Sequence, residues 1–600
     1  MFKILQKLRL NDWLCILLGI LFIVGQVYLD LKAPEYTKVI TNVITTGQGT
    51  MGDIWFNGGL MLICSIGSAL LAVATGYLAA RIAASFGHNL RSEIFRKVND
   101  LCIEDVKNFS VPSLITRTTN DVFNMQRFIS MGFQVLIKAP ILAVWTIVKI
   151  TDTNWQWSAA TALSVVTIVI VILILMCISF PRFKRIQKLT DDINNATREN
   201  ITGVRVVRAY NAEAYEQQKF QKTNRDLARN YLINGNAMSL MEPMMSLVMN
   251  VLTLAIYLIG AYLMAQFGLT GSVAGDAANI AARGDIFGDL MVFTSYAINV
   301  LMAFVMMTMI FIMLPRSIVS AKRINEVLDT PLTIKDGRGA TAETDNRGEI
   351  EFKHVSFKYP DAADYIIRNV NLKINQGETV AFIGSTGSGK TTLVNLVPRF
   401  YDATEGEVLV DGVNVKDYKI TELNNKIGYV PQKALLFSGD IRSNIDFGTD
   451  NSGTKDDETI MRAIKVAQAE NFVNKTGLEG AVAQGGTNFS GGQKQRLCIA
   501  RALARDAEFY IFDDSFSALD YKTDQKLRKE IKKITQKNGS TVLMIAQRIG
   551  TIKDADKIVV FDAGEIVGIG THDELSKNCS IYQEILKSQF NKKEAASCQK

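Results

Sequence analysis

The sequence contains few of the residues from which metal and redox sites are built. It has three histidines and seven cysteines in 600 residues. The histidines (His88, His354, His572) lie far apart, and no two cysteines form a C-x-x-C pair. A zinc site or a dithiol redox motif is therefore not expected. The odd number of cysteines, scattered through apolar and polar stretches, indicates reduced thiols.

The sequence also lacks a strong charge imbalance, since 66 Lys and Arg face 59 Asp and Glu, a net charge of +7. Hydrophobic residues make up 48%, and the mean hydropathy of +0.12 is high for a soluble protein. The chain is too long for one core. Before about residue 320 it is rich in Leu, Ile, Met and Val, and afterwards it is polar and punctuated by glycine. These features predict a lipid-embedded half followed by a water-soluble half.

The first half contains apolar segments long enough to cross a membrane, which takes about 20 residues per helix. Six are predicted, at 13–33, 58–80, 129–150, 158–180, 240–264 and 290–315. The third is the weakest because it includes Lys138 and Pro140. The first is not interpreted as a signal peptide, because no small-residue cleavage site follows it and further spans do.

Positive charge predicts the orientation of these spans. Lys and Arg are frequent before the first span, in the second–third and fourth–fifth connections and after the sixth, whereas 44–57 and 151–157 have none and 265–289 has one. The N-terminus and everything after residue 316 are therefore expected in the cytoplasm of a cell-membrane protein. These flanking charges also account for the net +7, so a nucleic-acid partner has no support. The two cytoplasmic connections favour helix over separate soluble subdomains.

The second half contains a phosphate-binding motif. Residues 348–382 alternate as strands do and end in an apolar run, after which comes G-x-x-x-x-G-K-[ST]. Its glycines let main-chain N–H groups converge on phosphates, its lysine supplies a positive charge, and its first threonine hydroxyl suits Mg²⁺. The predicted phosphate-binding residues are Gly384, Ser385, Thr386, Gly387, Ser388, Gly389, Lys390, Thr391 and Thr392.

A pair of carboxylates belongs with this loop. The apolar run 509–512 predicts a buried parallel strand, and Asp513 and Asp514 follow at its carboxyl end, where α/β sheets place ligand chemistry. Asp513 is predicted as a second Mg²⁺ ligand beside Thr391. The alternative is that the two acids cap a helix.

A third motif, Ser490-Gly491-Gly492-Gln493 after Phe489, resembles the Leu-Ser-Gly-Gly-Gln signature of ATP-binding cassette (ABC) proteins. The order of the motifs and the six preceding spans make the chain resemble an ABC exporter half-transporter. The resemblance implies a polytopic α-helical membrane domain with long cytoplasmic extensions, followed by an α/β P-loop domain. The expected boundaries are 1–325 for the membrane domain, 326–347 for a linker, 348–585 for the cassette and 586–600 for a tail.

The resemblance also implies roles for single residues. Tyr359 matches the aromatic residue that stacks on adenine, and Gln432 matches the loop glutamine that contacts Mg²⁺ or the attacking water. Ser490 and Gly492, within the segment 490–493, match groups that contact the ATP held by an opposite subunit. Two cassettes would then close over two ATP molecules with Mg²⁺, and 111–116 and 210–214 would transmit that closure to the membrane helices.

Two residues depart from the family pattern at the catalytic positions. Asp514 stands where the family has Glu, and Gln547 stands where it has His; Gln484 also replaces a Glu common before the signature. Asp is one methylene shorter than Glu, and Gln cannot become cationic. These changes predict a slowly hydrolysing site and a heterodimer whose partner carries the consensus Glu and His. The alternatives are neutral drift, a homodimeric lipid or peptide exporter, and a regulatory or ATP-gated subunit.

The sequence says less about the transported substrate than about the ATP site. The fifth and sixth spans are rich in methionine, whose flexible thioethers suit an apolar cavity for small amphipathic compounds, although interhelical or lipid-facing packing explains them as well. Glu242 is a candidate for lining a wet cavity, as are Asp30, Lys32 and Glu35, which an interfacial position also explains. The segment 265–289 is expected to be a long extracellular connection without an assigned purpose.

Overall fold

A computed structural model describes residues 2–46, 49–151, 154–268, 273–339, 347–448 and 455–589. The chain divides into two compact units. The first comprises residues 1–99 and 109–330, and the second comprises 100–108 and 331–600. The short segment 100–108 therefore belongs to the second unit although both of its flanks belong to the first.

The first unit is helical. Its helices, together with the short helix that leads back into it, are α1 (Phe2–Leu5), α2 (Leu10–Thr46), α3 (Met51–Asp100), α4 (Ile103–Phe109), α5 (Val111–Thr116), α6 (Val122–Gly132), α7 (Ala139–Thr151), α8 (Trp155–Thr202), α9 (Val204–Ala209), α10 (Glu213–Ser239), α11 (Met241–Ala265) and α12 (Val273–Asp329).

Within the described residues, six helical runs are long and apolar enough to cross a membrane. They are Leu10–Thr46, Met51–Asp100, Val111–Thr151, Trp155–Thr202, Glu213–Ala265 and Ala278–Asp329. Each is much longer than the about 20 residues that a bilayer core requires. The spans therefore continue as helices beyond the hydrocarbon, as the sequence predicted for the two cytoplasmic connections. Leu17, Leu62 and Leu163 are more than half exposed, as expected for side chains that face lipid.

The third run is the most irregular. It contains two π-helical turns, Arg117–Asp121 and Phe133–Lys138, between α-helical stretches. The second turn ends immediately before α7, in which Pro140 cannot donate the main-chain hydrogen bond that an α-helix needs. The features that weakened the third span as a sequence pattern therefore coincide with a local change of helix type.

The helix that carries the sixth span begins well before the predicted range 290–315. It begins at Val273, so most of the segment 265–289 is helical; residues 269–272 lie outside the described residues. The physical reason is composition, because alanine recurs between 274 and 282 and has the highest helix propensity.

In the part of the second unit that the structure describes, the strands form three sheets. Its strands are β1 (Ile350–Phe357), β2 (Ile367–Ile374), β3 (Thr379–Gly384), β4 (Glu405–Val410), β5 (Val413–Asn414), β6 (Ile427–Val430), β7 (Gly439–Asp440), β8 (Ala481–Val482), β9 (Phe509–Asp513), β10 (Thr541–Ile545), β11 (Lys557–Asp562) and β12 (Glu565–Gly570). The antiparallel sheet has the order β2-β1-β4-β5, and the main sheet has the order β12-β11-β3-β10-β9-β6; β7 and β8 form a small pair.

The helices of the second unit connect these strands and pack against them. They are α13 (Lys390–Val394), α14 (Ile420–Asn425), α15 (Ile441–Ile445), α16 (Asp457–Val466), α17 (Glu470–Thr476), α18 (Gly491–Leu503), α19 (Tyr521–Asn538), α20 (Ile549–Ile552), α21 (His572–Asn578) and α22 (Ser580–Gln589).

The main sheet is parallel except for the pairing of β11 with β12. Strand β9 is buried at every residue, as expected for a strand covered on both faces. Strand β10 lies between β3 and β9, and its last residue, Ile545, is paired with Asp513. The carboxyl ends of three strands therefore meet at one edge, which is where the phosphate loop, the two aspartates and Gln547 follow.

Candidate functional site

The phosphate loop leaves β3 and enters α13 through two glycines that the backbone requires. Gly384 has φ +155°, and a Cβ there would lie 2.0 Å from the main-chain oxygen of Phe561. Gly389 has φ +99°, and its Cβ would lie 2.9 Å from the oxygen of Ile366. Both positions are closed to side chains. The sequence motif thus forms the strand–loop–helix turn that a phosphate cradle needs.

Lys390 lies folded into this loop. Its Nζ donates to the main-chain oxygens of Gly384 at 3.0 Å and Ser385 at 2.7 Å and to Ser388 Oγ at 3.0 Å. The residue is 8% exposed, and burial lowers the pKa of its ammonium group; Asp514 and Asp513 oppose that effect. A desolvated ammonium surrounded by oxygens is held where a phosphate oxygen can replace one of them.

Thr391 and Asp513 contact each other directly. The Thr391 hydroxyl donates to Asp513 Oδ1 at 2.9 Å. Burial raises the pKa of the Asp513 carboxyl, while the hydrogen bond from Thr391 lowers it. The structure therefore brings a hydroxyl and a carboxylate oxygen together beside the phosphate loop, a donor set of the type that Mg²⁺ prefers.

Asp514 has a different set of neighbours. The Gln547 side-chain amide donates to Asp514 Oδ2 at 2.9 Å, and Gln432 also hydrogen-bonds this carboxylate. Burial raises the pKa of the Asp514 carboxyl, and the Gln432 hydrogen bond lowers it. The three residues predicted for the hydrolytic step thus lie together. Asp514 has φ +46°, a left-handed conformation that Asp tolerates better than most residues.

Tyr359 lies in an aromatic cluster. Its ring makes edge contacts with Tyr401 at 5.3 Å and Phe357 at 4.9 Å between centroids, and its hydroxyl lies 3.2 Å from Thr392 Oγ1. Lys107, from the segment 100–108, places its Nζ 5.5 Å from the Tyr359 ring centroid. Lys107 could not be predicted as part of this cluster, because nothing local in the sequence connects it with a residue 252 positions later (359 − 107).

The signature segment forms the start of α18. The Ser490 hydroxyl accepts from the Gln493 amide, and the Gln493 side chain accepts from the Ser490 amide at 2.9 Å, which completes a capping box. Ser490 and Gly491 are exposed. Within the described part of the chain, no hydrogen bond joins residues 490–493 to the phosphate loop. The described contacts therefore do not join the signature segment to this chain's own phosphate loop.

The candidate coupling segments of the first unit are well formed. Residues 111–116 coincide with α5, which follows Ser110. Of residues 210–214, the first three form the turn between α9 and α10, where Tyr210 is 80% exposed, and the last two begin α10.

The charged residues considered for the transport path have specific neighbours. Glu35 forms ion pairs with Lys32 and with Lys149, the latter at 2.8 Å, and Asp30 lies 3.6 Å from Lys138. Glu242 lies in the first turn of α11 and is exposed. Among the methionines of the fifth and sixth spans, Met245 is buried, whereas Met244, Met302 and Met309 are exposed. These methionines therefore do not share one environment.

The chain matches two family profiles. Residues 16–273 match the ABC transporter transmembrane region, and residues 367–517 match the ABC transporter profile. The matched segments fall in the helical first unit and in the second unit that carries the phosphate loop.

Relatives and a solved structure match almost the whole chain. An uncharacterized ABC transporter ATP-binding protein of Mycobacterium tuberculosis is 38% identical over 88% of this chain and 87% of its own length. The ATP-dependent lipid A-core flippase of Hahella chejuensis is 31% identical over 87% of this chain and 86% of its own length. A bacterial Atm1-family ABC exporter solved with ATP bound has the same fold, with a TM-score of 0.76, 22% identity and coverage of 96% of this chain and 98% of that chain. The chain therefore belongs to the ABC transporter family, as a half-transporter in which a multi-pass membrane region precedes an ATP-hydrolysing domain.

Proposed function

We propose that this half-transporter exports small amphipathic compounds across the cell membrane as one half of a heterodimer, and that its own phosphate loop holds ATP that it hydrolyses slowly. The observation that carries the proposal is the hydrogen bond from Gln547 to Asp514. Both residues depart from the family pattern, and they contact each other.

The chemistry of this pair accounts for slow hydrolysis. A general base for water needs a carboxylate that reaches the water and is free to accept its proton. Asp reaches less far than Glu by about 1.5 Å, one C–C bond, and a misplacement of about 1 Å can lower a rate about 100-fold. Here one carboxylate oxygen of Asp514 also accepts the Gln547 amide. Gln547 can donate to a phosphate oxygen, but it cannot carry a positive charge or relay a proton.

Binding, in contrast, retains the full set of groups. Lys390 and the glycine-shaped loop 384–389 would hold the phosphates of ATP, and Tyr359 would stack on its adenine. Thr391 and Asp513, already in contact, would hold Mg²⁺ together with Gln432. The ion would neutralise phosphate charge. Tight binding with slow cleavage is expected of a chain that keeps the phosphate loop and the Thr391–Asp513 pair but carries changed residues at the two catalytic positions.

The partner follows from the separation of the signature from this chain's own phosphate loop. Half-transporters of this family work as dimers. We infer that Ser490, Gly491, Gly492 and Gln493 complete the ATP site of a second half-transporter that carries the consensus Glu and His. The loops rich in Lys and Arg, and with them the ATP-hydrolysing domain, would lie in the cytoplasm.

A second candidate is export of a lipid. The similarity to an ATP-dependent lipid A-core flippase favours it, since 31% identity extends over most of both chains. The many half-exposed apolar side chains of the spans are compatible with either class of cargo. A homodimer would contain two slow ATP sites. The changed residues at 514 and 547 therefore make a homodimer the less favoured assembly.

Photolabelling of the purified complex tests the proposal. The complex is incubated in parallel with 8-azido-ATP labelled at the α- or γ-phosphate, crosslinked after increasing times and separated by chain. The γ-to-α ratio on this chain should stay high while that on its partner falls. A rapid fall on this chain, or turnover by this chain alone on the order of 1 s⁻¹ or faster, as in ordinary enzymes, would contradict the proposal. Inverted vesicles that accumulate Hoechst 33342 with ATP would distinguish a pump from a regulatory subunit.

A further inference from the structure

The chain passes between its two units at three points: 99/100, 108/109 and 330/331. The last two of these crossings are connected by side chains that the ATP site does not use. One of them, Arg117, lies in the π-helical turn Arg117–Asp121, a type of turn that is frequent at functional sites.

Within the first unit, the Arg117 side chain contacts residues near both of these crossings. Its Nη1 lies 2.9 Å from Glu326 Oε2 and also donates to the main-chain oxygen of Arg323, near the end of α12. Its guanidinium lies 4.9 Å from the ring centroid of Phe109, the first residue after the 108/109 crossing. The Arg117 side chain is only 10% exposed. It therefore holds the chain after one crossing against the helix that leads to the other.

A second ion pair lies one turn further along. Asp121 Oδ2 is 3.2 Å from Arg323 Nη1, and the Ser320 hydroxyl donates to Asp121 Oδ1 at 2.8 Å. The Asp121 side chain is 6% exposed. The charges are arranged in reverse order on the two helical segments, so Arg117 and Asp121 face Glu326 and Arg323, respectively. A slip of one segment along the other would bring like charges together, which fixes their register.

The same two stretches of chain are also joined within the second unit. The Thr333 hydroxyl lies 3.0 Å and 3.2 Å from the two carboxylate oxygens of Asp105. Asp105 lies three residues before the 108/109 crossing, and Thr333 lies just after the 330/331 crossing. Contacts on both sides of these crossings therefore link the first cytoplasmic connection to the end of α12 and to the residues that follow it.

We propose that Arg117 and Asp121 are positioning residues for transport, because their ion pairs make residues 109–121 and the end of α12 move together when ATP is used. The proposal rests on ATP-driven export as the function. An ion pair between a buried and a partly exposed group is a discrete contact, and removal of one partner leaves a charge in a poorly solvated place. Such a contact can transmit a displacement between segments that are far apart in sequence.

Charge reversal and charge exchange test this role in the full-length chain, reconstituted with its partner subunit in proteoliposomes. Arg117→Glu and Glu326→Arg each place like charges together, whereas the double variant restores opposite charges. Each single variant should lower Hoechst 33342 transported per ATP hydrolysed at least about fivefold, the lower range of measured coupling between sites. The double variant should recover most of this loss.

The control is Lys3→Glu. Lys3 pairs with Asp329 at 3.1 Å on the same helix end, but the two side chains are 71% and 55% exposed. Exposed pairs contribute little, so this variant should transport as the wild type does. An equal loss in the control would show that any charge change at this helix end has the same effect, and would overturn the proposal.

A second measurement judges the coupling without a transported compound. Hydrogen–deuterium exchange over 300–329 is compared with and without ATP and vanadate. The wild type should show a nucleotide-dependent change, the single variants a smaller one, and the double variant the wild-type change. If single variants respond as the wild type does, or exchange of the charges restores nothing, the proposal is wrong. Absence of dye transport by a wild type that shows the exchange response would contradict the proposed substrate class instead.

Discussion

The Gln589 side chain, in the last turn of α22, holds the main chain of Gln547. Its Nε2 donates to the Gln547 oxygen at 2.6 Å, and its Oε1 accepts from the Ile549 amide at 2.9 Å. These bonds lie on both sides of Arg548. The Gln547 side chain in turn reaches Asp514. The end of α22 thus anchors the loop that carries Gln547.

Gln589→Ala should shorten the time for which this chain retains ATP. Without the anchor the loop 547–549 is freer, and the Gln547 amide is less often placed at the site. A hydrogen bond contributes about 1 kcal/mol net. The half-time for which bound 8-azido-ATP stays on this chain, measured by photolabelling, should therefore fall about fivefold.

Gln583→Ala is the matched control for that variant. Gln583 lies in the same helix and also makes two hydrogen bonds to the main chain, donating to the oxygens of Ser576 and Lys577, both at 3.0 Å. Both partners lie in α21 and not at the ATP site. Equal effects of the two variants would mean that helix stability, and not the anchor, controls ATP retention.

The double variant Asp514→Glu, Gln547→His should increase ATP turnover on this chain. Glu extends the carboxylate toward the water, and His can share a proton. A gain of up to about 100-fold corresponds to the correction of a misplacement of about 1 Å. The γ-to-α label ratio on this chain should then fall as it does on the partner. An unchanged ratio in a variant that still binds ATP would show that these two residues do not limit hydrolysis.

Backbone geometry sets a cost for this repair. Asp514 has φ +46°, a region in which most L-residues lose roughly 1–2 kcal/mol and which Asp tolerates better. The Glu variant should therefore unfold at a slightly lower temperature than the wild type. Gln547→His alone, at a position without positive φ, is the control that separates strain from chemistry.

Gly389→Ala should abolish ATP binding. The substitution combines φ +99° with a Cβ 2.9 Å from the Ile366 oxygen, so the loop must move away from its phosphate-binding shape. Gly377→Ala is the control, because φ there is +75° but nothing lies within 4 Å of the new Cβ. Binding of the fluorescent analogue TNP-ATP should be lost only in the first variant, while both unfold at lower temperature. Equal affinities would contradict the role of Gly389 in shaping the loop.

The phosphate loop was predictable from the sequence because its chemistry is contiguous. One short motif specifies the turn, the lysine and the hydroxyl, and the apolar run before Asp513 specifies a buried strand whose end must lie beside it. Six membrane helices were predictable for a similar reason, since a bilayer imposes length and apolarity locally.

Other contacts could not be read from the sequence because distant segments create them. Nothing near Arg117 indicates a partner 209 residues later at Glu326 (326 − 117), and nothing near Gln589 indicates the loop at 547–549. The start of α12 could not be predicted for another reason. Its alanines favour helix and its glycines favour loop, and the extended helix that prevails was not evident from either pattern alone.

The pKa of Asp514 predicts a pH-dependent stability. Burial raises this pKa, and the Gln432 hydrogen bond and nearby Arg548 only partly oppose it. A carboxyl with a raised pKa in the folded state stabilises the fold most below its unfolded pKa of about 3.9, and this contribution is lost as the pH rises through the folded value. Asp514→Asn removes that loss. In nucleotide-free protein with EDTA, the unfolding temperature of the Asn variant should therefore rise relative to that of the wild type as the pH increases from 4 to about 7.

Asp520→Asn should give the opposite sign and serves as the control. Asp520 caps α19, and the hydrogen bond from the Thr523 amide lowers its pKa. A lowered pKa stabilises the fold above the unfolded value of about 3.9, and this contribution is lost as the pH falls through the lower folded value. The unfolding temperature of this variant should therefore fall slightly relative to that of the wild type as the pH rises from 4 to about 5, and stay level above that. Asn caps helices about as well as Asp, which keeps the helix start intact. Parallel shifts of the two variants across this pH range would show that burial of Asp514 does not govern its titration.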